Sequence, residues 1–161
     1  MGKTVLESRV EMAQVMLPPD ANPSGNIHGG TIMKLIDTAA GIAAMRHCRS
    51  NVVTASMDRL DFHEPVFIGE LVVLRASVNY AGSTSLEVGV RVEAENLMTG
   101  NIRHTNSAYL TMVALDENRT PTKVPELIPE TDEEKRRFEE GRMRAEHRKA
   151  LRKKSAQKTH A

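Results

Sequence analysis

NPSGNIHGGTIMKLIDTAAGIAAMRH, residues 22–47, begins as a polar loop, passes through Gly29-Gly30 and becomes an apolar helix. Ile32, Met33, Leu35, Ile36, Ala39, Ala40, Ile42, Ala43, Ala44 and Met45 point in nearly every direction around a 3.6-residue turn. A helix that is apolar all round is a buried helix. Lys34, Asp37 and Gly41 interrupt it, and it is too short to span a membrane. Asp37 stands out, because a carboxylate in a buried helix costs several kcal/mol unless it is paired, hydrogen-bonded or used.

Working outward, residues 5–17 alternate loosely and read as a first strand that Pro18-Pro19 ends. Arg46, His47 and Arg49 close the helix, which suits the negative end of its dipole. Residues 51–62 are rich in β-branched side chains and read as a second strand, interrupted by His63-Glu64-Pro65. Residues 71–80 and 86–95 alternate apolar and polar with period two, the pattern of strands with one buried face. Turns at 81–84 and 98–101 and a last long strand over 102–115 complete a consecutive antiparallel set. The pattern therefore predicts an α+β fold, one long helix against a curved antiparallel sheet of about five or six strands. A sheet covers only some sides of an all-apolar helix, so a second copy of the chain is expected to cover the rest.

The remainder of the chain reads differently. Residues 117–131 carry Pro121, Pro125 and Pro129 and predict an extended strap. Thr131 with Glu134 forms a capping box, and Glu133–Arg137, Glu139–Arg142 and Glu140–Arg144 are supporting pairs on a helix with little apolar stripe. The expected organisation is a domain over 5–125 and a strap with a charged, partly helical tail over 126–161. That tail is expected to be solvated and dispensable. Up to Pro129 there are 11 basic and 14 acidic residues, and from Glu130 onward 11 and 7. The tail is basic, but its acids are interleaved with its bases and aromatics are scarce, so no nucleic-acid role is expected. No signal segment opens the chain, no run of about 18 apolar residues exists, and Cys48 is alone. These features point to a reducing cytoplasm, with Cys48 a packed thiol.

Chemistry concentrates between Asn26 and Asp37. Gly29-Gly30 opens the helix, so free N–H groups there can hold an oxyanion or a polarised carbonyl. Asn26 lies just ahead, with an amide that donates and accepts. Asp37 is seven residues from Gly30, about 10 Å along the helix, too far to serve its own N-terminus. It either acts on a neighbouring copy or merely pairs with Lys34. The six histidines show no metal-ligand spacing, and neither a nucleophile elbow nor a phosphate-cradling loop is present.

The run GNIHGGTIMKLIDTAAGIAAMRHCRSNVVTASMDRLDFHEPVFIGE, residues 25–70, resembles the hotdog-fold acyl-CoA thioesterases, in particular the brain-type cytosolic acyl-CoA hydrolases and their single-domain bacterial relatives. GN-x-HGG, KL-x-D and VTAS-x-D carry the resemblance, which covers about residues 5–125. It implies hydrolysis of acyl-CoA to fatty acid and CoA, without a cofactor, at sites shared across a dimer interface within a homo-oligomer, a hexamer built as a trimer of dimers. It makes Asp37 the general base or nucleophile, Asn26 the residue that positions water or substrate, and Gly30 the oxyanion donor. His28 and Gly29 are substrate-binding candidates beside them. Arg59 and the Ser83-Thr84-Ser85 turn are candidates for the CoA phosphates. A hydratase or dehydratase using His28, and a non-catalytic acyl-CoA sensor, are the alternatives.

Overall fold

A computed structural model describes residues 1–160 of the chain. The elements are β1 (Lys3–Thr4), β2 (Val10–Val15), α1 (Gly29–Cys48), β3 (Asn51–Phe62), β4 (Leu71–Ala81), β5 (Ser85–Glu95), β6 (Ile102–Leu115), β7 (Leu127–Ile128) and α2 (Asp132–Thr159). Five strands form an antiparallel sheet in the order β2-β4-β5-β6-β3, while β1 and β7 form a separate parallel pair. The α+β architecture, with one long helix on a curved antiparallel sheet, is the expected one. Among the described residues no helix is long and apolar enough to cross a membrane.

The period-two strands put Val72, Leu74, Ala76 and Val78 of β4 and Val88, Val90 and Val92 of β5 on one buried face. That face meets Ile32, Ile36, Ala39, Ala40, Ala43 and Ala44 of α1, all buried. Alanines at the contact let the helix lie close to the sheet. Its other side, with Met33, Lys34, Asp37, Thr38 and Met45, is exposed in the single chain. The helix is therefore buried on one side, not all round, and its outward apolar positions are the ones a second copy would have to cover.

Residues 5–9 do not continue the expected first strand. The Glu7 carboxylate accepts the Thr4 N–H at 2.6 Å, and the N–H groups of Ser8 and Arg9 donate to the Val5 carbonyl, which curls the chain. At the other end of α1, Arg49 takes a left-handed conformation and its N–H donates to the Met45 carbonyl, a helix stop of the usual kind. His47 does not supply a positive charge there. It is fully buried, Nε2 donates to the Pro125 carbonyl at 2.7 Å, and burial pushes its pKa down. The strap that carries Pro125 is packed on the body: Val124 and Leu127 are buried, and the Val124 N–H donates to the Ser83 carbonyl. Strands β1 and β7 thus close the fold from residues on either side of the expected 5–125 domain.

The largest departure is α2. Its capping box forms as expected: Thr131 Oγ1 accepts the Glu134 N–H at 3.1 Å, and Glu134 accepts the Thr131 N–H at 3.2 Å. Glu133–Arg137 and Glu139–Arg142 pair as expected, but Glu140 takes Arg136. Arg144 instead turns inward to Glu87 on the outer face of β5, at 2.6 and 3.0 Å, with its guanidinium over the Tyr109 ring. The Glu87 side chain is 0% exposed. Phe138, Gly141 and Ala145 line the docked face, and a Cβ at Gly141 would stand 2.5 Å from Glu87 Oε2. Arg148 reaches Asp58 at 2.6 Å. The first half of α2 is a cover for a carboxylate that period-two reading places in water, so the tail is not the solvated appendage expected. Arg144→Ala should destabilise the protein by about 3 kcal/mol, because it leaves Glu87 buried and unpaired. Denaturant unfolding at fixed protein concentration measures this, and adding Glu87→Leu should recover most of the loss. An Arg144→Ala protein as stable as wild type would show that the pair contributes nothing.

Candidate active site

The loop that leads into α1 is fixed by its own backbone. Asn22 Oδ1 accepts the N–H groups of Ser24 at 3.0 Å and Asn26 at 3.3 Å, and the Asn22 N–H donates to the Asn26 carbonyl at 2.7 Å. Gly25 sits at φ +89°, a left-handed turn position that suits glycine. The N–H of Ile27 donates to Val66 and that of His28 to Asp20, which delivers the chain to the helix start. His28 caps α1 without a side-chain hydrogen bond, so the first N–H groups of α1 point out unclaimed by its side chain. A Cβ at Gly30 would meet nothing within 4 Å, so the helix start is open on the side-chain side of that residue. A Cβ at Gly29 would stand 3.4 Å from the Phe62 ring.

In front of this end of the helix lies a cavity of ≈ 290 Å³ lined by Asn22, Asn26, Ile27, Gly29, Ile32 and Asn106, and by residues 62–66. The 62–66 wall is held by Arg103, which pairs with Glu70 at 2.7 Å and Glu64 at 2.8 Å and donates to the Pro65 carbonyl at 2.9 Å. The Arg103 hydrogen bonds, with the Phe67 N–H, hold the Glu70 carboxyl below the usual carboxylate range.

Asp37 is not in this cavity. It lies on the open side of α1, where the Thr54 hydroxyl donates to its Oδ1 at 2.6 Å. Lys34 makes no ion pair with it among the described residues. Thr54 sits on β3 beside a β-bulge, opposite Met112. Strand β3 is a sheet edge, and its Val53 is 44% exposed. Asp37, the outward face of α1 and the free edge of β3 therefore form one continuous open surface.

The remaining candidates disperse. His28 is exposed at the helix start and pairs with no carboxylate among the described residues. Arg59 is exposed on β3 and pairs with Asp61 at 2.6 Å. Ser83, Thr84 and Ser85 lie at the far end of the sheet. Ser85 is opposite Val113, whereas the cavity is at the Phe62–Asn106 pair, about 24 Å away along β6. Within one chain they do not join the site. The Cys48 thiol is pushed up to about 11 by burial, which makes it inert at neutral pH. A larger cleft of ≈ 380 Å³ separates α2 from the outer sheet face, but five of its six guanidinium groups are matched: Arg75 by Glu93 and Glu11, Arg91 by Glu93, Arg136 by Glu140, Arg137 by Glu133 and Arg144 by Glu87. Among the described residues no cluster of His, Cys, Asp or Glu has the make-up to hold a metal.

The chain matches the thioesterase superfamily over residues 24–101. It is 44% identical over 128 residues to an uncharacterized acyl-CoA thioester hydrolase, YkhA, of Bacillus subtilis, covering 80% of this chain and 74% of that one. It is 38% identical to the cytosolic acyl coenzyme A thioester hydrolase of Rattus norvegicus, covering 92% of this chain and 40% of the longer rat protein. Among solved structures, an acyl-CoA hydrolase of Staphylococcus aureus, in complex with butyryl coenzyme A, coenzyme A and coenzyme A disulfide, superposes with a TM-score of 0.89 at 37% identity, covering 98% of this chain and 96% of that one. An apo-hexameric acyl-CoA thioesterase superposes with a TM-score of 0.89 at 43% identity, covering 93% and 96%. The Staphylococcus hydrolase has also been solved with alanine in place of an asparagine, of an aspartate fifteen positions later, and of a threonine seventeen positions after that. In this chain Asn22, Asp37 and Thr54 stand at those intervals. Sequence reading selects Asp37 but passes over Asn22 and Thr54. The signal for Thr54 was present, since VTAS-x-D follows the helix at constant spacing, but only folding shows its hydroxyl on the Asp37 carboxylate.

Proposed function

We propose, because this chain belongs to the thioesterase superfamily as a hotdog-fold acyl-CoA thioester hydrolase, that Asp37, Thr54 and Asn22 act with the N–H groups of Gly29 and Gly30 in one reaction. The observation that carries the reading is the split arrangement. Gly29 and the asparagines line a cavity at the start of α1, with Gly30 next to it in the chain, while the carboxylate, held by Thr54, sits on an open helix face. The thioester carbonyl oxygen accepts from the helix N–H groups, which stabilise the charge that develops on it. Asp37 takes a proton from water as the water oxygen bonds to the carbonyl carbon. Collapse of the adduct breaks the C–S bond, and the thiolate leaves to take up a proton. The Thr54 hydroxyl orients one carboxylate oxygen and leaves the other for water. Asn22, its Oδ1 committed to the loop, keeps its N–H₂ for substrate. Asn26 lines the cavity beside it, and His28 borders the helix start.

The split also supports a particular assembly. A second copy packed on the α1 face and the β3 edge covers Met33, Met45 and Val53 and brings its Asp37 to this chain's cavity. Each dimer then has two equivalent sites, and a hexamer is three such dimers. Arg59 and the Ser83–Ser85 turn contact CoA phosphates only from a neighbouring subunit. A cytoplasmic location follows from the same likeness to cytosolic hydrolases.

Purified protein incubated with a panel of acyl-CoAs and a free-thiol reagent tests the reading. Thiol release with appearance of free acid is expected. A shifted double bond without thiol release would instead favour the hydratase, and saturable binding without turnover a sensor.

A further inference from the structure

Three buried side-chain atoms lack a hydrogen-bond partner among the described residues: Ser8 Oγ, His47 Nδ1 and Asn106 Oδ1. Of these three residues, only Asn106 lines the cavity at the start of α1. Its side chain is on β6, and the residue is 1% exposed. Its Nδ2 donates to the Asp61 carbonyl at 3.3 Å. Because that carbonyl only accepts, the amide cannot flip, and Oδ1 is fixed as an acceptor facing away from Asp61. A buried acceptor without a donor is costly, and Asn106 carries one to the wall of the cavity; Oδ1 is closed to water in the single chain, so a donor in the cavity meets it through a small side-chain shift.

The chemistry of the lining narrows which part of an acyl-CoA this is. Asn22, Asn26 and Asn106 bring neutral polar groups to the lining, and Ile27, Ile32, Phe62 and Val66 bring apolar ones. A fatty chain against an unpaired carbonyl oxygen would leave it unpaired. The phosphates bring acceptors where an acceptor already stands, and the cation that holds this wall, Arg103, is already matched by Glu64 and Glu70. The thiol arm of CoA is neutral, slender, and carries an amide N–H two carbons from the sulfur.

We propose that Asn106 is a substrate-contacting residue whose Oδ1 accepts that amide N–H, so that this chain's own cavity holds the thiol arm and the fatty chain lies on the α1 face toward Asp37. The proposal rests on the hydrolase reading above. It makes Asn106 a determinant of specificity for the thiol half of the substrate: it registers the arm so that the carbonyl meets the Gly29-Gly30 N–H groups.

Two small thioesters separate this role from a structural one. Hexanoyl-S-N-acetylcysteamine keeps the amide, and the analogue with an ester oxygen in place of the amide N–H loses only the donor. Wild-type protein is expected to turn over the amide compound about tenfold faster by kcat/KM. Asn106→Leu should lose about that factor on the amide compound and nothing on the ester, abolishing the preference. Equal losses on both compounds would overturn the proposal, since a bound water or a packing role does not distinguish them. If Asn106→Leu does not fold, as read by circular dichroism, the wild-type comparison still decides, because equal turnover of the two compounds overturns it. Failure of wild-type protein to hydrolyse any acyl-CoA would instead remove the hydrolase reading.

Discussion

Asp37→Ala should lower turnover of acyl-CoA by about a hundred- to ten-thousandfold and leave the folded structure in place. The two halves of this expectation have separate physical grounds. A positioned general base contributes about 10²–10⁴-fold, and Asp58, the next carboxylate along β3, is already held by Arg148. Stability is a different matter, because Asp37 is exposed in the single chain and among the described residues its side chain bonds only Thr54. Losing that hydrogen bond costs about 1 kcal/mol. Replacing aspartate by alanine inside a helix returns about 0.5 kcal/mol. In the proposed dimer the carboxylate would be drawn out of water, so removing it there would be nearer neutral still. Steady-state kinetics with circular dichroism and thermal melting as controls make the measurement. Thr54→Ala should lower turnover by less, since the carboxylate remains but loses its orientation. Turnover near the wild-type rate by a folded Asp37→Ala protein would remove Asp37 from the mechanism.

How much of this is legible from sequence depends on whether the cause is local. The strands from 71 to 115 are, because a two-residue period with one wet face admits one arrangement. The residues of β3 are legible for a different reason, their richness in β-branched side chains. The helix start is legible in Gly29-Gly30, and so is the carboxylate two turns down. What fails is whatever depends on a partner surface far along the chain. Glu87 alternates onto the polar face of β5 and reads as solvated; only when α2 returns over that face, 57 residues later, does it become buried with Arg144. Gly141 inside a charged helix is the one trace, since a glycine there costs helix stability and is explained by close approach to the sheet. Asn22 reads as a loop residue because its Oδ1 does hold the loop. Asn106 is invisible for the opposite reason. A polar residue on an inner strand position has meaning only once the cavity beside it exists.

Mixing inactive Asn22→Ala protein with inactive Asp37→Ala protein under conditions of subunit exchange should restore about a quarter of wild-type activity per site. The reasoning is geometric. Asp37 lies about 10 Å along α1 from the Gly29-Gly30 end of its own helix. The attacking water must be within about 3 Å of both its base and the carbonyl carbon. One chain does not bring the carboxylate to its own N–H donors, because a helix is rigid over that distance. Two copies packed with their α1 helices antiparallel bring each Asp37 to the other's cavity. A mixed dimer then has one site with both substitutions and one with neither. Random pairing makes about half the dimers mixed, and each holds one intact site, so about one site in four recovers if sites act independently. Mass measurement establishes that exchange has occurred. The control is the double variant, Asn22→Ala with Asp37→Ala in one chain, mixed with wild type. There every mixed dimer has two damaged sites, so activity should fall below simple dilution. The two mixtures contain the same substitutions and differ only in how chains share them. If the single variants fail to complement after verified exchange, while the double variant only dilutes wild type, each chain carries a complete site of its own.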